Sequence, residues 1–309
     1  MPLNELKSAP LTAPQLDDAN TSTADASSAD ASSAVPAPQS APAPNFNDRN
    51  AIAVTISNKQ APLVILYGPP ACGKTMTMVR LTRFLHKKGY DIQPDTTFRH
   101  SSDSRYKERC DQFSGAIQSD LAAESTANID FMLIKVCRNS RTICQILEAP
   151  GEGYFDPQYP RQDYPSYVHQ ILSSPNRKIW AIFLEPEWMD ASDRNNYVSR
   201  VSQLATMMQP KDKVLFIYNK VDKTNCVVRN GLVRKGAVLE RAMQQYENMF
   251  EPFRNTIPVI KWFRPWNCGF VPFQTGSYTE LEAGGMKYNE SSDRYCDPLW
   301  DALQSIIRG

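Results

Sequence analysis

Beyond residue 50 the chain alternates short apolar runs with longer stretches in which large apolar residues return every three or four positions. Continuous apolar runs suit strands buried in a sheet, and the three-to-four spacing suits helices laid over it. Pro62-Leu63-Val64-Ile65-Leu66-Tyr67 predicts a strand ending at Gly68. Met76, Val79, Leu81 and Leu85 predict a helix from Lys74 to about Lys88. Tyr106, Cys110, Phe113, Ile117 and Leu121 keep helical spacing inside what is otherwise a long connection, and predict an inserted amphipathic helix. The runs Phe131 to Val136 and Thr142 to Leu147 flank Arg138-Asn139-Ser140-Arg141, the pattern of a β-hairpin. Further strands are predicted at 179–184, 214–218 and about 270–273, and helices near 192–208, 236–251 and 297–308. No internal repeat is visible.

Strands alternating with helices predict an α/β fold with a mostly parallel central sheet, one antiparallel hairpin and helices on both faces. Residues 1 to about 50 break the pattern. They are Ala, Ser, Pro and Thr with scattered acids, as in TADASSADASSAVPAPQSAPAPN, and bury too little to repay ordering, which predicts a disordered tail. Two segments follow: a 1–50 tail and a 51–309 domain carrying a helical insertion at about 98–125.

Composition narrows the class. Lys+Arg of 34 against Asp+Glu of 33 gives no whole-chain signal for nucleic acid. The seven cysteines are scattered with no CxxC pair, as expected of reduced thiols in a cytoplasmic protein. No run reaches the ~20 apolar residues of a membrane span, and the first residues lack a signal peptide's apolar stretch. With three histidines far apart in sequence, a His-rich metal cluster is not expected.

Between the first strand and helix lies Gly68-Pro69-Pro70-Ala71-Cys72-Gly73-Lys74-Thr75, which fits G-x-x-x-x-G-K-[ST]. Phosphate oxygens need convergent donors, and backbone N–H groups at a helix N-terminus supply them with a favourable dipole. Gly68 and Gly73 permit the turn and the close approach. Pro69 and Pro70 have no N–H, so donors come from Ala71 and Cys72 onward. Lys74 brings a cation to the β- and γ-phosphates, and the Thr75 hydroxyl a ligand for Mg2+. Cys72 is either a small filler or an oxidisable thiol.

A second motif distinguishes the bases. Asn219-Lys220-Val221-Asp222 directly follows the predicted strand 214–218. The Asp222 carboxylate can accept from guanine N1–H and the 2-amino group together, a pair adenine lacks. Sites of this kind reject analogues by as much as ~10⁴ to 10⁵. The Lys220 stem suits the base plane, and Asn219 ties this corner to the phosphate loop.

With these motifs in this order, residues 60 to 309 resemble the translation-factor-related (TRAFAC) class of P-loop GTPases in its Ras-like core. The resemblance implies a Ras-like fold binding GTP or GDP with Mg2+, slow hydrolysis of GTP, and a protein effector or regulator at the switch segments; a GTP-bound scaffold or adaptor with little hydrolysis is the alternative. Glu148-Ala149-Pro150-Gly151-Glu152 is similar to the D-x-x-G switch motif. The likeness puts the Glu148 carboxylate near Mg2+ and the Gly151 N–H on the γ-phosphate, with Glu replacing the usual Asp. Glu152 falls where a water-orienting Gln is common.

A switch threonine is implied before the hairpin. Thr126, 22 residues ahead of Glu148, is favoured over Thr96 and Thr97. Thr275-Gly276-Ser277 is the candidate for a loop contacting guanine O6. Pro70 stands where a small residue would admit an arginine from a partner, and Arg99, Arg105, Arg138 and Arg141 are candidates to act in cis.

Overall fold

The computed structural model describes Asp48 and residues 52–118, 131–188, 190–228, 231–263, 265–280 and 286–309. The chain divides into Met1–Ala43 and Pro44–Gly309. The first unit, with almost all of the expected tail, lies outside the described residues.

In chain order the second unit carries β1 (Leu63–Tyr67), α1 (Lys74–Lys87), β2 (Asp91–Pro94), α2 (Ser104–Gln118), β3 (Met132–Arg138), β4 (Arg141–Glu148), α3 (Gly151–Tyr154) and α4 (Ser166–Ser173). There follow β5 (Lys178–Leu184), α5 (Ala191–Met207), β6 (Lys213–Tyr218), α6 (Lys235–Gln245), α7 (Pro258–Phe263), β7 (Cys268–Pro272), β8 (Gly276–Glu280), β9 (Met286–Glu290) and α8 (Cys296–Arg308). Seven strands form one sheet in the order β2-β3-β4-β1-β5-β6-β7, and β8 and β9 form a separate antiparallel pair. β4, β1, β5, β6 and β7 are mutually parallel, while β3 runs against both its neighbours.

Every residue of β1 and of β5 is buried, so both faces of the sheet centre are covered. On one face Tyr67 packs on Tyr154 and Tyr197 of α3 and α5. Across the sheet, α1 packs against α2 and α8. The expected hairpin turns through Asn139 and Ser140, both at positive φ (49° and 60°), the two-residue turn whose twist suits the flanking strands.

The predicted insertion contains α2, with Tyr106, Cys110, Phe113 and Ile117 buried, but residues 99–103 precede it as turns. Leu121 lies outside the described residues. The helix expected over 236–251 ends at Gln245; Tyr246, Met249 and Phe250 are buried instead from a turn that Asn248 opens at φ 66°.

Candidate functional site

The phosphate loop joins β1 to α1 at the carboxyl end of the central strand, where open α/β sheets place their ligands. Ala71 (φ 60°) and Gly73 (φ 90°) are both left-handed. A left-handed residue among right-handed ones turns successive N–H groups to one side, giving an anion-binding concavity. Glycine at 73 is also required by space, because a Cβ there would overlap the Asn219 amide nitrogen. At Gly68 it would meet Cys72 Sγ at 2.8 Å.

Lys74 is buried, and its ammonium donates to the Pro69 carbonyl at 2.9 Å, folded back over the loop. Burial pushes the Cys72 thiol up to about 11, with Lys74 acting in the opposite direction, so near neutral pH it is an uncharged filler.

The Asn219-Lys220-Val221-Asp222 corner leaves β6 beside this loop. The Asn219 side-chain amide donates to the Cys72 carbonyl at 2.9 Å, and its backbone N–H to Leu184 O at 2.8 Å. Lys220 sits at φ 53° and its ammonium pairs with Glu185; Lys223 pairs with Glu187 at 2.5 Å. Asp222 is exposed on the cavity side.

Between loop and corner lies a cavity of about 600 Å3, lined by Ala71, Gly73, Lys74, Thr75, Met76, Asn219, Lys220, Asp222, Lys223, Thr275, Gly276 and Ser277. Thr275 and Gly276 form part of its wall. Gly276 opens strand β8 and so is not a free turn, and a Cβ there would strike Asn289 O. Tyr288 OH and the Ser291 N–H both donate to Thr275 O, at 2.7 and 3.1 Å.

Behind Lys74, Thr75 Oγ1 donates to Glu148 Oε1 at 3.0 Å, while Glu148 Oε2 accepts the Phe131 N–H at 2.8 Å. Gly151 seats directly on the phosphate loop: a Cβ there would overlap Pro70 N and the Pro69 carbonyl. Glu152, next along α3, is half-buried and does not line the cavity. Thr126 lies outside the described residues. Of its rivals, Thr97 spends its hydroxyl on Asp95 Oδ1 at 2.6 Å, and Thr96 is exposed.

The four arginines separate. Arg138 and Arg141 flank the hairpin turn, at the far end of β3 and β4 from Glu148. Arg99 is buried in an ion pair with Asp103 at 2.8 Å and lies over the Phe131 ring. Arg105 is exposed on α2.

Sequence reasoning missed Glu185, Glu187 and the Arg80 clamp. Arg80, buried on α1, donates to Ser291 O at 2.8 Å and pairs with Asp293 at 2.5 Å and Glu290 at 3.6 Å. The available signal was Glu185-Pro186-Glu187 standing directly after a buried strand, where a parallel sheet presents its ligand side.

No known family profile matches the sequence, and no curated protein matches it. Among solved structures, nucleolar GTP-binding protein 1 of Plasmodium falciparum is similar at 10% identity and TM-score 0.39, over 83% of this chain and 90% of that one. A structure of the chloroplast translocon components atToc33 and psToc159 is similar at 10% identity and TM-score 0.41, over 81% and 83%. At such identities and scores the likeness assigns no residue and no activity to this chain. The sheet order, the glycine-lysine loop and the Asn-Lys-Val-Asp corner together give the chain the fold of a P-loop GTPase.

Proposed function

We propose that the chain binds GTP with Mg2+ in this cavity and hydrolyses it slowly to GDP and phosphate, as a switch read by a protein partner. One observation carries the reading. Two motifs far apart in sequence line one cavity and are joined directly, Asn219 amide to Cys72 carbonyl, with Lys74 and Asp222 among the residues lining it. The described residues include no helix long and apolar enough to cross a membrane.

The chemistry follows from the side chains. N–H groups from Ala71 onward and the α1 N-terminus hold the phosphates, and Lys74 turns from Pro69 O toward the β- and γ-oxygens. Asp222 accepts from the guanine edge, and Glu185 fixes the Lys220 stem along the base. The Thr75 hydroxyl and the Glu148 carboxylate are adjacent hard-oxygen donors. That combination suits Mg2+, which keeps several waters and takes phosphate oxygens beside one or two protein oxygens. Bound there, it draws charge from the β- and γ-phosphate oxygens. Gly151, seated on Pro69-Pro70, offers its N–H toward the γ-phosphate, and water attacks the γ-phosphorus in line with the departing GDP oxygen. Glu152 orients that water. Unassisted turnover is expected at roughly 10⁻⁴ to 10⁻² s⁻¹, since positioning does most of the work.

A second reading, a GTP-loaded scaffold that hardly hydrolyses, is favoured by Glu152 standing outside the cavity lining and by Pro70 crowding the loop. Competition of GTP and ATP for a fluorescent guanine nucleotide tests the base assignment, with Lys74→Ala and Asp222→Asn as controls. ATP competing as well as GTP defeats it. Phosphate release from the unmodified chain and from Glu152→Ala separates switch from scaffold; a rate equal to blank leaves the scaffold.

A further inference from the structure

The amino ends of the parallel strands, opposite the nucleotide cavity, carry the three most exposed large apolar side chains among the described residues, with a fourth beside them. Trp262 is 86% exposed, Phe263 80%, Val259 72% and Ile257 56%. They belong to or adjoin α7, in the β6-to-β7 connection, and Trp262 and Phe263 stand edge to face with ring centres 5.5 Å apart. The connection is fixed to the sheet: Asn267 N–H donates to Phe253 O at 2.7 Å, Asn255 N–H to Pro265 O at 2.9 Å, and Ile257 shares a cavity with Lys213 and Asn267. Isolated exposed apolar residues are ordinary, but four within seven positions, two of them aromatic, form a patch that monomers seldom leave to water.

Charge says what covers it. From Pro252 to Thr279 there is no carboxylate, and the charged residues are Arg254, Lys261 and Arg264. The same end of the sheet carries exposed Lys59, Arg138, Arg141, Lys211 and Arg308. There, between the hairpin turn and the end of α8, lies a cavity of about 720 Å3 lined by Arg138, Arg141 and Arg308 with the amides of Asn58 and Gln304, and no carboxylate side chain lines it. Of the carboxylates near this end, Asp212 is buried and accepts backbone N–H groups, Glu251 is paired with Arg254, Asp297 is paired with Lys88, and Asp91 accepts from Gln93.

We infer that this face docks on an anionic lipid bilayer, with Trp262 and Phe263 entering the headgroup layer and the surrounding cations meeting lipid phosphates and carboxylates. Tryptophan and phenylalanine beside lysine and arginine are the side chains that interfaces of this kind retain. A bilayer accepts a projecting aromatic pair without a matching pocket, whereas a protein partner must supply one. The orientation also leaves the nucleotide cavity, at the other ends of the strands, turned to solvent. Attraction by the cations falls off within a Debye length, so the docking is salt-sensitive.

The test is co-sedimentation of the full chain with vesicles of phosphatidylcholine alone and of phosphatidylcholine with phosphatidylserine. The chain binds the anionic vesicles, and binding weakens about tenfold or more in Trp262→Ala/Phe263→Ala, in Arg141→Glu/Arg308→Glu, and in raised salt. Because all four residues are exposed, both variants keep the parent melting temperature. No binding to anionic vesicles, or unchanged binding by the aromatic double variant, overturns the inference. So does a self-associating parent that this variant makes monomeric, which assigns the face to a second copy of the chain.

Discussion

The Asn219 side-chain amide reaches across 147 residues of sequence to donate to the Cys72 carbonyl at 2.9 Å, directly above the left-handed Gly73. Buried on both sides, this bond fixes the spacing between the two ends of the cavity. Asn219→Ala strands the Cys72 carbonyl and is expected to cost about 1–3 kcal/mol in urea unfolding. Gly73→Ala is expected to do more harm, since strain at positive φ adds to the overlap with Asn219. Nucleotide affinity falls in both. A Gly73→Ala chain as stable as the parent and equally good at binding guanine nucleotide would remove the clamp from the account.

Gly151 has no room for a side chain against Pro69 and Pro70. Gly151→Ala must displace either α3 or the phosphate loop. The expected result is a loss of phosphate release in single turnover larger than the loss of GDP affinity, because the proposed function reserves the Gly151 N–H for the γ-phosphate, which GDP lacks. Equal losses would mean that the loop itself had collapsed.

The pairing of Thr75 with Glu148 yields a prediction about the metal. Glu148→Gln keeps an acceptor for the Phe131 N–H but removes the charge next to Thr75. Chelation of Mg2+ should weaken GTP binding by the parent at least tenfold and that of Glu148→Gln by much less. Titration of nucleotide with and without chelator measures this, and equal sensitivity in the two chains would place the ion elsewhere.

Asp95 holds the segment entering α2. Burial alone would raise its pKa, but bonds from Thr97, Ser57 and Lys135 outweigh that and hold the carboxyl below its ordinary value. A depressed carboxyl contributes stability above its unfolded pKa, near 3.9, and loses it as pH falls through the folded value. Asp95→Asn should therefore be less stable than the parent at neutral pH, and the gap should close below about pH 4. Urea midpoints across that range decide; a gap that widens in acid would contradict the sign.

The central strands were legible because burial on both faces leaves continuous apolar runs, as in Ile179 to Leu184. β2 was not, since Asp91-Ile92-Gln93-Pro94 has one large apolar residue and owes its form to pairing with β3. The helix Ser166–Ser173 did carry a signal in Tyr167, Val168, Ile171 and Leu172, hidden behind a run rich in proline and tyrosine. Within the site, the loop and corner could be read because their chemistry demands particular residues at fixed spacing. Glu185 and Glu187 could not, because their meaning arises only when β5 and β6 lie side by side. Arg80 looked like an ordinary helix residue until β9 and the turn after it brought Glu290 and Asp293 to it.

That arginine has a mechanical consequence. It leaves the helix that carries Lys74 and Thr75 and, with its own guanidinium buried, bonds Ser291 and Asp293 in the turn behind Thr275. One side chain therefore ties the loop end of the cavity to its Thr275 wall. Under the proposed function, nucleotide exchange is expected to proceed by movement of the remaining rim rather than by parting of these two.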